Sequence, residues 1–176
     1  MTTLPSISEQ TIEVWDGRIT LRVKVAGAGS PLLYLHPAAG LAWDPFLSHL
    51  AERYTVYAPE FPGTSVGDPY AIHQVDDLGD LVLLYEELVR KLGLVKPAVV
   101  GQSFGGMIAC ELAAHFPDLP SALIALDPIG LWLDALDARA PKNVVVVAMA
   151  NKLARIAWAV LSSGEDYRPM GNTVAA

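Results

Sequence analysis

Val99-Val100-Gly101-Gln102-Ser103-Phe104-Gly105-Gly106 joins a run of β-forming residues to Gly-x-Ser-x-Gly and then to a helix-periodic stretch that begins at Met107. That order reads as a strand, a sharp turn and a helix. A turn of this kind strains the backbone at its central residue, so the flanking positions must be almost without side chains, and Gly101 and Gly105 meet that need. Ser103 is thereby pushed out at the C-terminal end of the strand. Its hydroxyl lies close to the N-terminus of the next helix, whose free N–H groups and dipole favour the negative charge that develops in acyl transfer. The stretch reads as a place to build a nucleophile, the alternative being a glycine-rich strand-to-helix turn with an incidental serine.

Upstream of this unit the chain alternates between strand and helix signals. Thr11 to Trp15 alternates in strand fashion, and Asp16-Gly17 is a hairpin turn into the strand Ile19 to Val25, so two antiparallel strands open the fold. After the break at Gly27-Ala28-Gly29-Ser30-Pro31, the run Leu32-Leu33-Tyr34-Leu35 shows no polar alternation, as a strand covered on both faces requires. Helical spacing follows from Trp43 to Leu50, a strand from Tyr54 to Pro59, and an amphipathic helix from Val75 to Leu92 that Gly93 stops. The strand Pro97 to Val100, a helix to Phe116 and the strand Leu123 to Asp127 complete the series. Such alternation predicts the α/β class, a mostly parallel sheet flanked by helices on both faces.

From Thr11 to about Asp134 the chain resembles the α/β-hydrolases. Three motifs carry the resemblance in family order: the loop His36-Pro37-Ala38-Ala39-Gly40, the turn Phe61-Pro62-Gly63 and the elbow Gly101 to Gly105. The resemblance implies a serine hydrolase acting on an ester-like or other acyl small molecule, with Ser103 as nucleophile. It also implies an oxyanion hole made by the N–H of Phe104 and by that of Ala38. Pro37 departs from the family, which usually has glycine there, and proline supplies no N–H.

A serine hydroxyl needs a base, and the base needs a third group to orient it. In the family both lie beyond the elbow, serine then acid then histidine. The only histidine beyond Ser103 is His115, at the far end of the helix that Ser103 starts, about 18 Å away at about 1.5 Å per residue. His49 falls on the first helix and His73 in a loop. His36, at the end of the third strand, is the base candidate nearest by topology, although the family's histidine there shapes the loop. Asp127, at the end of the sixth strand, is the candidate acid, with a turn residue before Pro128 as the alternative reading. Glu60 reads as a solvated loop carboxylate, and Cys110 as a small buried hydrophobe.

Beyond Asp134 the family's cap and its last strand–helix units are not matched. The expected architecture is a truncated α/β-hydrolase domain over residues 1–137, lacking the cap and last strands, and an unrelated helical tail over 138–176. The tail, from Pro141 to Pro169, resembles the end of insertion-sequence transposases that join a RuvC-like domain to a serine-containing one. Charge switches at the same place: residues 1–137 hold 17 acidic against 7 basic residues, and residues 138–176 hold 2 against 5. Helical spacing favours a helix for the tail, while Val144 to Val147 alone also suits a strand. Such a helix would cover the edge of the sixth strand, or else leave that edge open to self-association.

An apolar fraction of 52%, a charged fraction of 18% and a net charge of −7 suit a globular core and argue against nucleic acid or an anionic membrane as partner. With no export signal and one cysteine, the expected location is cytoplasmic. No metal-ligand spacing, phosphate loop or dinucleotide fingerprint occurs, so no cofactor is expected. Without an oriented base the expected activity is impaired. The alternatives are a non-catalytic remnant or interaction module from a disrupted gene and, more distantly, a nucleic-acid-associated fragment acting through the tail.

Overall fold

Leu32 and Tyr34 point to one side of their strand and Leu33 and Leu35 to the other, and both sides are buried. A strand that is apolar on both faces must lie between two layers. The computed structural model, which describes residues 6–64 and 68–129, builds those layers around a 6-stranded sheet. Its strands are β1 (Ser8–Val14), β2 (Ile19–Ala26), β3 (Ser30–Leu35), β4 (Tyr54–Pro59), β5 (Ala98–Gln102) and β6 (Ala122–Leu126). Their spatial order is β1-β2-β4-β3-β5-β6. β1 and β2 run antiparallel to their neighbours; β4, β3, β5 and β6 are mutually parallel.

Helices α2 (Leu78–Lys91) and α3 (Phe104–His115) cover one face, packing Leu81, Leu84, Tyr85, Leu88, Ile108 and Leu112 against Leu33, Leu35 and Val99. On the other face α1 (Pro45–Leu50) packs Leu47 on Leu32, Tyr34, Val56 and Val100. The predicted α/β class and its two covered faces are therefore observed.

Helix starts differ from the periodicity because caps decide them. α1 begins at Pro45 rather than Trp43, since the Asp44 carboxylate accepts from the Leu47 N–H at 2.9 Å and proline suits the first helical position. α2 begins at Leu78 rather than Val75. Asp77 accepts from the Asp80 N–H at 3.0 Å, Asp80 accepts in turn from the Asp76 N–H at 2.9 Å, and the preceding Ala71–Gln74 forms a 3₁₀ turn. Its end falls as expected at Gly93, in the left-handed region at φ 66°, where the Leu94 N–H reaches the Val89 carbonyl at 3.1 Å.

The order of connections positions the site. From β3 the chain moves to β4 on one side, then crosses to β5 on the other, so the connections diverge beyond the C-terminal ends of β3 and β5. In parallel sheets that divergence opens the crevice in which ligands bind. The loop after β3 is His36 to Gly40, and the turn after β5 carries Ser103. The tail predicted for 138–176 and the boundary at 137/138 lie outside the described residues.

Candidate active site

Ser103 sits at φ 54° and ψ −114°, a conformation that an L-residue adopts only under constraint. The constraint comes from three sides. A Cβ on Gly105 would run into the Leu35 carbonyl and lie 2.6 Å from the His36 carbonyl oxygen. One on Gly101 would meet the Gly105 carbonyl and lie 2.8 Å from the Ala109 Cβ. Gly106 is tight as well, 3.1 Å from both the Gly101 oxygen and the Pro128 Cβ. The first turn of α3 thus rests directly on the backbone of β3 and β5. From β6, Leu126 accepts the Ser103 N–H at 2.8 Å, and the Ile129 N–H donates to the Ser103 carbonyl at 3.2 Å.

Register brings the other candidates to the same edge of the sheet. Leu35 pairs with Gly101 and Gln102 with Leu126, so His36 to Ala38, Ser103 to Phe104 and Asp127 all follow adjacent strand ends. Asp127 is exposed and has φ 49°. Ala38 is exposed within the turn Pro37 to Gly40, closed by the Gly40 N–H on the Pro37 carbonyl at 3.1 Å. Pro37 enters this turn through its carbonyl, so its missing N–H costs the turn nothing. Among the described residues, the N–H groups of Ala38 and Phe104 donate to no protein acceptor.

His36 is fully buried, and both of its ring nitrogens are engaged. Nε2 accepts from the Phe61 N–H at 2.9 Å, which places the proton on Nδ1, and Nδ1–H donates to the Pro37 carbonyl at 2.6 Å. Burial lowers the imidazole pKa, and Lys24 adds to this, against smaller opposing effects of the Pro37 carbonyl and Glu60. The Phe61 ring lies tilted against His36, with 4.0 Å between centroids and 42° between planes, and meets Phe104 edge-on at 5.2 Å. On its other side it meets Tyr85 at 5.6 Å. The Tyr85 hydroxyl is buried with no hydrogen-bond partner, and burial raises its pKa well above that of a free phenol.

Several residues show what short-range reading of the sequence misses. Glu60, expected to be solvated, is 4% exposed and takes a bidentate pair from Arg22 on β2, at 2.8 and 3.2 Å, with Lys24 at 3.9 Å. Two cations at i and i+2 on one strand face were the available signal. Phe61 was seen only as part of a turn. Tyr34 donates to Gln102 Oε1 at 2.9 Å, beside the elbow, and burial followed by Asp44 pushes its phenol up to about 12, so it stays a donor. Cys110 is buried as expected, its thiol pushed up to about 12 chiefly by that burial.

The far end of α3 is different in kind. There His115 is exposed beside Glu111, and a groove of about 550 Å³ lies between the C-terminal ends of α2 and α3, lined by Glu86, Arg90, Phe116 and Asp118 among others. His49 on α1 is exposed next to Glu52, and His73 stacks on Tyr70. Among the described residues no group of three or more His, Cys, Asp and Glu could hold a metal ion, and no helix is long and apolar enough to cross a membrane.

The model of the alpha/beta hydrolase family matches residues 25–174. The chain belongs to the α/β hydrolases. A 2-(acetamidomethylene)succinate hydrolase of Mesorhizobium japonicum is 31% identical over 130 residues, 70% of this chain and 46% of that enzyme. The crystal structure of a 2-hydroxy-6-oxo-6-phenylhexa-2,4-dienoate hydrolase from Rhodococcus superposes with a TM-score of 0.62 at 25% identity, covering 73% of this chain and 48% of that one. This α/β hydrolase chain spans less than half the length of the curated hydrolases it matches. The transposase likeness of the tail is also found: a probable family 20 transposase of Pseudomonas aeruginosa is 60% identical over 38 residues, 22% of this chain and 11% of that protein.

Proposed function

We propose that Ser103 is the nucleophile of a serine hydrolase acting on an ester-like or other acyl small molecule. The observation that carries this reading is the backbone of Ser103 at φ 54° and ψ −114°, held by glycines whose Cβ positions are filled by other backbone. Strain of this kind persists where the surroundings over-determine it, as they do at functional sites. In the step proposed, Ser103 Oγ bonds to the acyl carbon and the carbonyl π pair moves to its oxygen. The resulting oxyanion takes hydrogen bonds from the N–H groups of Phe104 and Ala38. The alcohol leaves as the carbonyl reforms, carrying the proton that Ser103 gave up.

That proton needs a carrier, and none of the four histidines is suited to the task. The nitrogens of His36 already hold Pro37 and Phe61, and His115 lies at the other end of α3. His36 is therefore read as shaping the loop, and Asp127 as an acid at the right edge with no imidazole to orient. Turnover by these residues alone would be slow: triad enzymes stripped of base and acid lose a factor of order 10⁶ and retain about 10³ to 10⁴ over water. An activity-free reading, a remnant that keeps the sheet without the chemistry, draws on the same engagement of His36.

Residues 138–176 are proposed to be a tail of separate origin, and sequencing the surrounding locus tests this, since an uninterrupted hydrolase gene would overturn it. The acidic body suits a cytoplasmic enzyme of small molecules rather than a nucleic-acid binder.

Intact-mass labelling with a fluorophosphonate, beside Ser103→Ala, tests the nucleophile. Labelling that requires Ser103 is expected; a folded protein that resists the reagent would favour the remnant.

A further inference from the structure

We propose that the proton carrier missing beside Ser103 is supplied from outside the chain, by a neutral imidazole-type base that binds at the exposed end of the elbow. The proposal rests on Ser103 as the nucleophile and adds the class of co-reactant that its turnover takes. Among the described residues nothing hydrogen-bonds to the Ser103 hydroxyl. The acceptors nearest in register are already engaged. Both nitrogens of His36 are held, by the Phe61 N–H and the Pro37 carbonyl, and the Gln102 amide oxygen takes the Tyr34 hydroxyl at 2.9 Å. The remaining histidines of the chain lie on α1, in the 3₁₀ turn before α2 and at the far end of α3. Asp127 follows the adjoining strand end but brings no nitrogen. The unengaged N–H groups of Phe104 and Ala38 therefore share a sheet edge with a hydroxyl that has no acceptor for its proton.

The edge has room for such a base. Ser103 is half-buried, Ala38, Ala39, Gln102 and Asp127 on the same edge are exposed, and a Cβ built on Gly40 would meet nothing within 4 Å. Imidazole fits the chemistry because it titrates near neutral pH, where a general base is most effective. Its second nitrogen is an N–H that can donate to the Asp127 carboxylate. In the step proposed, Ser103 Oγ bonds to the acyl carbon as its proton passes to the imidazole nitrogen. The bond from that carbon to the alcohol oxygen breaks, and the imidazolium gives the alcohol its proton. Water then displaces Ser103 by the same exchange, returning a proton to Oγ, and the base leaves unchanged. With a fluorophosphonate the Oγ–P bond forms, fluoride leaves and the imidazolium gives its proton to solvent.

The test is the rate of fluorophosphonate labelling of the full chain at neutral pH, across a series of imidazole concentrations at constant ionic strength. Intact mass gives the rate and peptide mapping gives the residue, so the wild-type protein decides the outcome without any variant. A slow basal rate at Ser103 is expected to rise about 10²-fold and then level off, the lower end of what a positioned general base contributes. Levelling off marks a bound base, and tetramethylammonium in place of imidazole should leave the rate basal. Acceleration that stays linear in imidazole would mean base acting from bulk solvent with no site. Labelling at Ser103 that ignores imidazole would mean that the chain holds another proton acceptor. Either result overturns the external base and leaves the nucleophile standing. A basal rate that climbs with protein concentration also overturns it, since a histidine of a second copy would then be the base. A folded chain unlabelled at Ser103 both with and without imidazole overturns the nucleophile itself.

Discussion

The two ends of α3 face opposite conditions. At its N-terminus Ser103 is strained, Gly105 touches β3 backbone, and the polar residues around it, His36 and Glu60, are buried with partners for their polar atoms. At its C-terminus His115 and Glu111 form a wet pair beside a groove lined by further surface charges. Both ends carry a histidine and a carboxylate, yet one set is held by the fold and the other by water. Residue type does not distinguish a constrained site from a solvated one; the contacts do.

Substitutions at the two ends should differ accordingly, and the largest effect is expected at Gly105. Gly105→Ala drives a Cβ into the carbonyls of Leu35 and His36, neither of which can yield without moving β3. A loss of about 3 kcal/mol or more is expected in denaturant titration. A near-neutral result would mean that the elbow is looser than its contacts imply. Next is Glu60→Gln, which breaks the bidentate pair with a partly exposed Arg22. About 2 kcal/mol is expected, less than for a fully buried pair because water can reach the guanidinium.

His36 adds a pH dependence at the constrained end. Its folded pKa is lowered from 6.5, so the unfolded chain takes up a proton that the native imidazole resists. The stability it contributes is present in full above the unfolded value and is lost as pH falls through that value toward the lowered native one. Urea midpoints should therefore drop between pH 7.5 and 5.5 in the wild type, and by less in His36→Gln.

Smaller still, and opposite in sign, is Tyr85→Phe. It removes a buried hydroxyl that has no partner, and a gain of about 1 kcal/mol is expected by thermal denaturation. A loss instead would mean that the hydroxyl holds a bound water. At the wet end, His115→Ala should change stability by less than about 0.5 kcal/mol.

What could be read from the sequence follows from the range of the forces involved. The elbow was legible because glycines at Gly101 and Gly105 answer to a turn only five residues long. The paired faces of β3 were legible because burial on both sides leaves no polar alternation. The starts of α1 and α2 were not, because Asp44 and Asp77 override periodicity by capping. Glu60 was misjudged, and the contact of Phe61 with His36 went unseen beside its correctly read turn, for another reason. Arg22 reaches Glu60 across 38 residues and His36 reaches Phe61 across 25, and no local pattern announces such pairings. The histidine beside the serine was legible as a neighbour, while the engagement of both its nitrogens was not.

The contact between Gly105 and the carbonyls of β3 also bears on the order of folding. β5 and α3 are adjacent in sequence and can associate early, but the strained backbone at Ser103 is enforced by a strand from much nearer the start of the chain. Closing so long a loop is a slow, non-local event. The elbow therefore acquires its shape only when both β3 and the end of β6 are in place, and an excised β5–α3 unit is expected to relax Ser103 into an ordinary turn. The strained backbone of Ser103 is a product of the assembled sheet, not of its local sequence alone.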